Sequence, residues 1–176
     1  ITMEDAMMLG RLYSRGEKIT IKLYMEAQTL PDRWSKNIIS ELVGSTFPDE
    51  VIVIGGHIDS WDVGQGVHDD AGGCIAAWEA LRLIKNLGLK PKRTIRCVLW
   101  TNEENGSRGN QAYRDMVKDQ IDKQILAIES DAGVFAPKGF GFTGSDKARA
   151  IVSDIHKLME PIGAQSISNG GRAVDI

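Results

Sequence analysis

Three apolar runs break the polarity of this chain: Val51-Ile52-Val53-Ile54, residues 94–100 and residues 125–128. Short continuous apolar runs bounded by turn residues predict strands buried on both faces, as in a parallel sheet. Between and after them the spacing becomes helical. Over residues 71–87, Cys74, Ala77, Trp78, Leu81 and Ile84 share one face, while Glu79, Arg82 and Lys85 share another. Gly88 ends that helix. Residues 107–118 read as a second amphipathic helix. Residues 145–159 read as a third, with Ala148, Ile151, Val152, Ile155 and Leu158 on one face and Pro161 as its stop. Alternating strands and helices with apolar strands predict an α/β fold, in which three layers (α/β/α) enclose a mostly parallel central sheet.

The first fifty residues follow a different pattern. Thr2-Met3-Glu4-Asp5 resembles a capping box opening a short helix toward Ser14, ended near Gly16. Residues 19–24 alternate apolar and polar side chains, which predicts a half-buried strand. Residues 29–34, with Pro31 and Asp32, read as a turn, residues 37–43 as another strand and residues 47–50 as a loop.

Composition narrows the possibilities without naming one. A chain of 176 residues with 42% hydrophobic and 26% charged residues suits one domain with a real core. A net charge of -3 supplies no basic surface for nucleic acid, and no apolar run approaches a membrane span. Cys74 and Cys97 are the only cysteines. Two cysteines make no disulfide framework, and their spacing is not that of a structural zinc site, so they read as small buried thiols.

The candidate chemistry lies just after the apolar runs. His57-Ile58-Asp59 follows the first, Asn102-Glu103-Glu104 follows the second and Glu129-Ser130-Asp131 follows the third, with His68-Asp69-Asp70 opening the intervening helix. In open α/β sheets ligands bind outside the carboxyl ends of the strands, so this order delivers an imidazole and several carboxylates to one rim. Such carboxylates repel one another unless cations neutralise them, and mixed histidine and carboxylate donors suit a pair of zinc ions. The spacing His57-x-Asp59 lets Asp59 accept a hydrogen bond from the imidazole nitrogen that does not bind metal. Of the adjacent pair Glu103 and Glu104, one can bind metal while the other accepts a proton from the attacking water. Gly64, Gly66, Gly72 and Gly73 allow tight backbone turns around these residues.

The chain resembles the co-catalytic zinc exopeptidases of the aminopeptidase and glutamate carboxypeptidase family. The stretch Gly55-Gly56-His57-Ile58-Asp59-Ser60-Trp61-Asp62-Val63-Gly64-Gln65-Gly66 with Asp69-Asp70 carries the likeness, and Trp78-Glu79-Ala80-Leu81, Leu99-Trp100-Thr101 and Phe142-Thr143-Gly144-Ser145 extend it. The resemblance implies that His57 and Asp131 bind one zinc, that Asp69 bridges two zinc ions and that Glu104 binds the second. It implies Glu103 as general base, Asp59 as the residue orienting His57, and Asp70 as the neighbour of the bridge in a peptide that the family often holds cis. It makes residues 1–26 the tail of a preceding accessory region and residues 27–176 an incomplete catalytic domain. Also implied are hydrolysis of dipeptides or short peptides with free termini, a homodimer, and a secreted or secretory and lysosomal location.

The family pattern also calls for a terminal histidine on the second zinc, expected beyond Ile176. His68 reads as a flanking residue and His156 as a surface histidine on the polar face of the last helix. The terminal stretch Asn169-Gly170-Gly171-Arg172-Ala173-Val174-Asp175-Ile176 matches the pattern loosely. Asn105-Gly106-Ser107 fits the glycosylation pattern, but a glycan there would obstruct the site. Two other readings fit the same residues: a di-zinc deacylase or aminoacylase acting on acylated amino acids, and a truncated binding module without activity.

Overall fold

The computed structural model describes residues 1–164, 166–171 and 175–176. They form two compact units, Ile1–Trp34 and Ser35–Ile176. The first carries helix α1 (Met3–Ser14), capped by Thr2, whose hydroxyl accepts from the Asp5 N–H at 3.1 Å. Residues 19–24, expected as a strand, form none, and Ile21 and Leu23 are exposed. Alternation supplies a face to bury, but a strand also needs a partner to pair with.

The second unit holds a four-stranded sheet built from β1 (Ile38–Leu42), β2 (Phe47–His57), β3 (Arg93–Trp100) and β4 (Gln124–Glu129), in the order β1-β3-β2-β4. β2 runs parallel to β3 and to β4, whereas β1 is antiparallel to β3. The register sets His57 opposite Trp100 and Gly55 opposite Glu129, so three strands end at one rim. Residues 47–50, expected as a loop, are the start of β2. Phe47 pairs with Arg93 before a register shift to Val51–Thr94. Pro48 cannot donate to a ladder and is accommodated at this irregularity, where its carbonyl accepts from the Thr94 hydroxyl at 2.7 Å.

Side chains alternate across the sheet, and helices cover both faces. On one face Val51, Val53, Val98 and Trp100 pack with Tyr113 and Val117 of α3 (Arg108–Val117). On the other, Cys97, Ile54, Ile95 and Leu99 pack with Ala77 and Leu81 of α2 (Gly72–Asn86). The helical spacing of residues 71–87 thus selected the right face, although Trp78 at its margin is half exposed. Gly55 lies against the Trp100 ring, where a Cβ would come within 2.4 Å of the indole. β4 is an edge strand among the described residues. It is half-buried rather than buried on both faces, with Ile125 exposed.

Beyond β4 the chain forms a separate parallel pair, β5 (Gly139–Phe142) and β6 (Ser166–Asn169), around α4 (Asp146–His156). The pattern of residues did not predict this pair, since Gly139 and Gly141 dilute its apolar signal. α4 starts at the Ser145 cap and passes at His156 into a tighter turn, Lys157–Ile162. His156 is not on the surface as expected: it is 7% exposed and meets the Phe140 ring edge-on. Ile151 and Ile155 of the anticipated apolar face are exposed instead. Of the loosely matching terminal stretch, Arg172, Ala173 and Val174 lie outside the described residues. No described helix is long and apolar enough to cross a membrane.

Val98 is fully buried on the α3 face of the sheet. Val98→Ala should lower unfolding stability by about 2 kcal/mol, measured by urea denaturation, whereas Lys85→Ala on exposed α2 surface should stay within about 0.5 kcal/mol.

Candidate metal centre

The parallel strands deliver their side chains to the rim through connections that stay in register with the sheet. Ile58 N–H donates to the Trp100 carbonyl at 2.6 Å, and Ser130 N–H donates to the Gly55 carbonyl at 3.2 Å. Beyond β3, the Thr101 N–H donates to the Asn37 side chain at 3.1 Å, and the Asn37 amide donates to the Gly109 carbonyl at 2.8 Å. The turn carrying Glu103 and Glu104 is thereby tied to both β1 and α3. Between β2 and α2, a single wide turn, Val67–Ala71, carries Asp69 and Asp70, joined by a cis peptide.

His57 is completely buried at the centre of this rim. Its Nδ1 lies 2.9 Å from the carbonyl oxygen of Asp59, and its Nε2 lies 3.0 Å from Asp69 Oδ1, 3.2 Å from Asp131 Oδ1 and 3.9 Å from Glu103 Oε2. A carbonyl can only accept, so Nδ1 must carry a hydrogen. In the neutral ring Nε2 then presents a lone pair to three carboxylates, acceptor facing acceptors. A proton on the ring or on a facing carboxyl, or a metal ion between them, resolves this. Burial disfavours the charged ring, but the Asp59 carbonyl and the charges of Asp131, Asp70 and Glu103 outweigh it and raise the His57 pKa to about 9. The ring is therefore a proton-holding group in the absence of metal.

Two sets of donors converge within 4.8 Å: His57, Asp69 and Asp131, and His57, Glu103 and Glu104. All five are sites anticipated from the sequence. Burial, followed by neighbouring carboxylates, pushes both Glu103 and Glu104 above the usual carboxylate range, with His57 opposing. Glu104 Oε1 is buried without a hydrogen-bond partner among the described residues, as suits an oxygen that could meet a cation. One histidine with carboxylates is a donor set that suits zinc.

Asp59 behaves differently from its expected role. Its backbone carbonyl, not its carboxylate, holds the imidazole, since its Oδ1 stands 3.7 Å from Nδ1. The carboxylate instead accepts the N–H groups of Glu103 at 3.0 Å and Glu104 at 3.3 Å. One residue thus fixes the ring tautomer with its main chain and the two-glutamate turn with its side chain. His68 stacks on Phe135 at 5.2 Å, and His156 sits at α4. Neither joins the converging donors.

Sequence reading missed three polar groups here. Cys74, read as an inert thiol, donates its S–H to the His57 carbonyl at 3.1 Å. Half-buried Glu129 and buried Asp175 form an acidic pair, in which the Asp175 N–H donates to Glu129 Oε2 at 3.1 Å. Burial and then the Asp175 charge raise Glu129 to about 8; burial and then Glu103 raise Asp175 to about 6. Their long separation along the chain leaves no local signal for the pairing.

The family model for peptidase family M28 matches residues 37–173. Carboxypeptidase Q of Mus musculus is 51% identical over all 176 residues, which make up 37% of that protein's length. A solved peptidase M28 precursor from Shewanella amazonensis superposes with a TM-score of 0.69 at 37% identity, over 78% of this chain and 30% of that one. A zinc aminopeptidase from Bacillus subtilis shares the fold at a TM-score of 0.61 and 20% identity, over 79% of this chain and 36% of that one. With most of its length matched by the family model and three strands converging on one buried imidazole, the chain belongs to peptidase family M28.

Proposed function

We propose that this chain is the metal-binding core of a two-zinc exopeptidase that hydrolyses dipeptides or short peptides with free termini. The observation that carries the reading is the buried imidazole whose Nε2 faces the carboxylates of Asp69, Asp131 and Glu103. His57 and Asp131 would hold one zinc, Asp69 would be shared, and Glu104 would hold the second. When bound, zinc supplies Lewis acidity toward the scissile carbonyl and the attacking water. Glu103 is the group left to move the proton. It is mostly buried, and burial holds its carboxyl above the usual range, nearer to the pH at which a general base works best. In this reading Glu103 takes a proton from the attacking water and delivers it to the departing amine. Asp59 keeps Glu103 in place through its main-chain N–H. The carboxypeptidase name of the mouse relative supports the exopeptidase class.

The test is hydrolysis of an unblocked dipeptide by the zinc-loaded full-length protein, beside its N-acetylated counterpart. Glu103→Gln should lower turnover by about 100-fold or more with zinc content unchanged, whereas Asp69→Asn should lose both zinc and turnover. Near-wild-type turnover in Glu103→Gln would remove the base assignment. Cleavage of the acetylated substrate alone would move the reading to a deacylase.

Metal binding should also release a proton. The apo His57 ring, at about 9, is protonated at neutral pH and must be neutral to ligate. Zinc affinity should therefore climb about tenfold per pH unit from pH 6 toward 9 through this group. Calorimetry in buffers of different ionisation enthalpy should register about one proton released per zinc bound at His57 near pH 7.5. Affinity independent of pH over that window would contradict a ring that holds a proton before it ligates.

A further inference from the structure

We propose that Asp70 is a positioning residue, fixing His57 for its cation by clamping the backbone at the end of β2 to the first turn of α2. The proposal rests on the metal reading above. It stands on a set of contacts that no ligand role explains.

Asp70 is 1% exposed, and each carboxylate oxygen has one main-chain donor. Oδ2 accepts from the His57 N–H at 3.1 Å, and Oδ1 accepts from the Gly73 N–H at 3.0 Å. Both oxygens face backbone rather than the converging donors. The carbonyl of the same His57 is tied to the same helix, through the Cys74 S–H at 3.1 Å. Both main-chain groups of His57 are therefore fastened to the start of α2, while Nδ1 is fastened to the Asp59 carbonyl. The ring has no freedom left except to point Nε2 at Asp69 and Asp131.

The glycines around the clamp support its specificity. A Cβ on Gly56 would fall 2.2 Å from Asp70 Oδ2, and one on Gly73 would fall 2.4 Å from Asp70 Oδ1 and 1.7 Å from the Ser130 carbonyl. These two positions leave the space in which the carboxylate sits between β2, α2 and the loop bearing Asp131. The geometry also explains why a carboxylate is used. Two N–H donors approach two different oxygens, and a carboxylate has an acceptor at each. An asparagine of the same shape offers one acceptor and turns an NH₂ against the other N–H. Because Asp70 follows Asp69 directly, loosening the clamp would displace the carboxylate nearest Nε2 together with the ring.

Zinc affinity by chelator competition, and the visible spectrum of the cobalt-substituted protein, test this in the full-length protein. Asp70→Asn should lose about 10–100-fold in zinc affinity and shift the cobalt bands. Val98→Ala, which weakens the core away from the rim, should lose thermal stability while keeping wild-type affinity and spectrum. Unchanged affinity and bands in Asp70→Asn would overturn the clamp. A wild-type protein that binds no zinc would overturn the metal reading instead. Should Asp70→Asn fail to fold, amide exchange of the wild-type protein decides: stripping the zinc should speed exchange at the His57 and Gly73 amides, and equal rates with and without zinc would overturn the proposal.

Discussion

The organising constraint of this structure is a conflict of acceptors at one nitrogen. The Asp59 carbonyl forces the hydrogen of His57 onto Nδ1, and Nε2 then looks at Asp69 and Asp131 from 3.0 and 3.2 Å. Two like unit charges about 4 Å apart repel by about 4 kcal/mol at an effective dielectric of 20. The net stability of a domain is only about 5–15 kcal/mol. A cluster of several such carboxylates around a buried ring is therefore a large perturbation unless a positive charge sits among them. A proton on His57 supplies one such charge, and a divalent ion supplies more. The raised pKa values of the ring and of Glu104 are two signs of the same negative field.

The fold maintains that conflict because the strands are parallel. β2, β3 and β4 end at the same level, so short connections suffice to bring His57, Glu103 and Asp131 together. Proximity alone would leave these loops free to relax away from each other's charge. Main-chain hydrogen bonds to aspartate oxygens oppose that relaxation. Asp59 joins the end of β2 to the turn after β3 through the N–H groups of Glu103 and Glu104, and Asp70 joins the end of β2 to α2. Each carboxylate bonded in this way offsets part of the repulsion with fixed N–H dipoles.

The sheet and the donor set were legible in the residues because both depend on local pattern. Continuous apolar runs marked β2, β3 and β4, helical spacing marked the buried face of α2, and the acidic segments followed the runs directly. What escaped depended on distant parts of the chain. Residues 19–24 have the alternation of a strand but no strand forms there. Residues 47–50 joined β2 because Arg93 offered Phe47 a partner across a register shift. His156 looked polar between Asp154 and Lys157, yet Phe140, sixteen positions earlier, covers it. The spacing of His57 and Asp59 pointed to a bond from the ring to the Asp59 carboxylate, whereas the Asp59 carbonyl is what the ring meets. Whether carbonyl or carboxylate meets it depends on the turn beyond β3, which the spacing does not encode.

Carboxylates at this rim follow two routes to neutrality, and the difference divides their labour. Glu129 and Asp131 leave the same strand end two residues apart. Glu129 turns inward toward Asp175, where burial and then the charge of Asp175 lift it to about 8. Burial and the neighbouring acid thus both favour its protonated form. Asp131 turns instead to Nε2 of His57. Glu103 and Glu104 divide similarly, although the same Asp59 carboxylate holds both main chains. Glu103 reaches within 3.9 Å of Nε2, whereas Glu104 keeps one oxygen buried and without a partner among the described residues. Acidic residue type alone therefore says little about which groups can hold a cation. The neighbour each carboxylate meets, another acid in one case and an imidazole in the other, sets the charge that it faces.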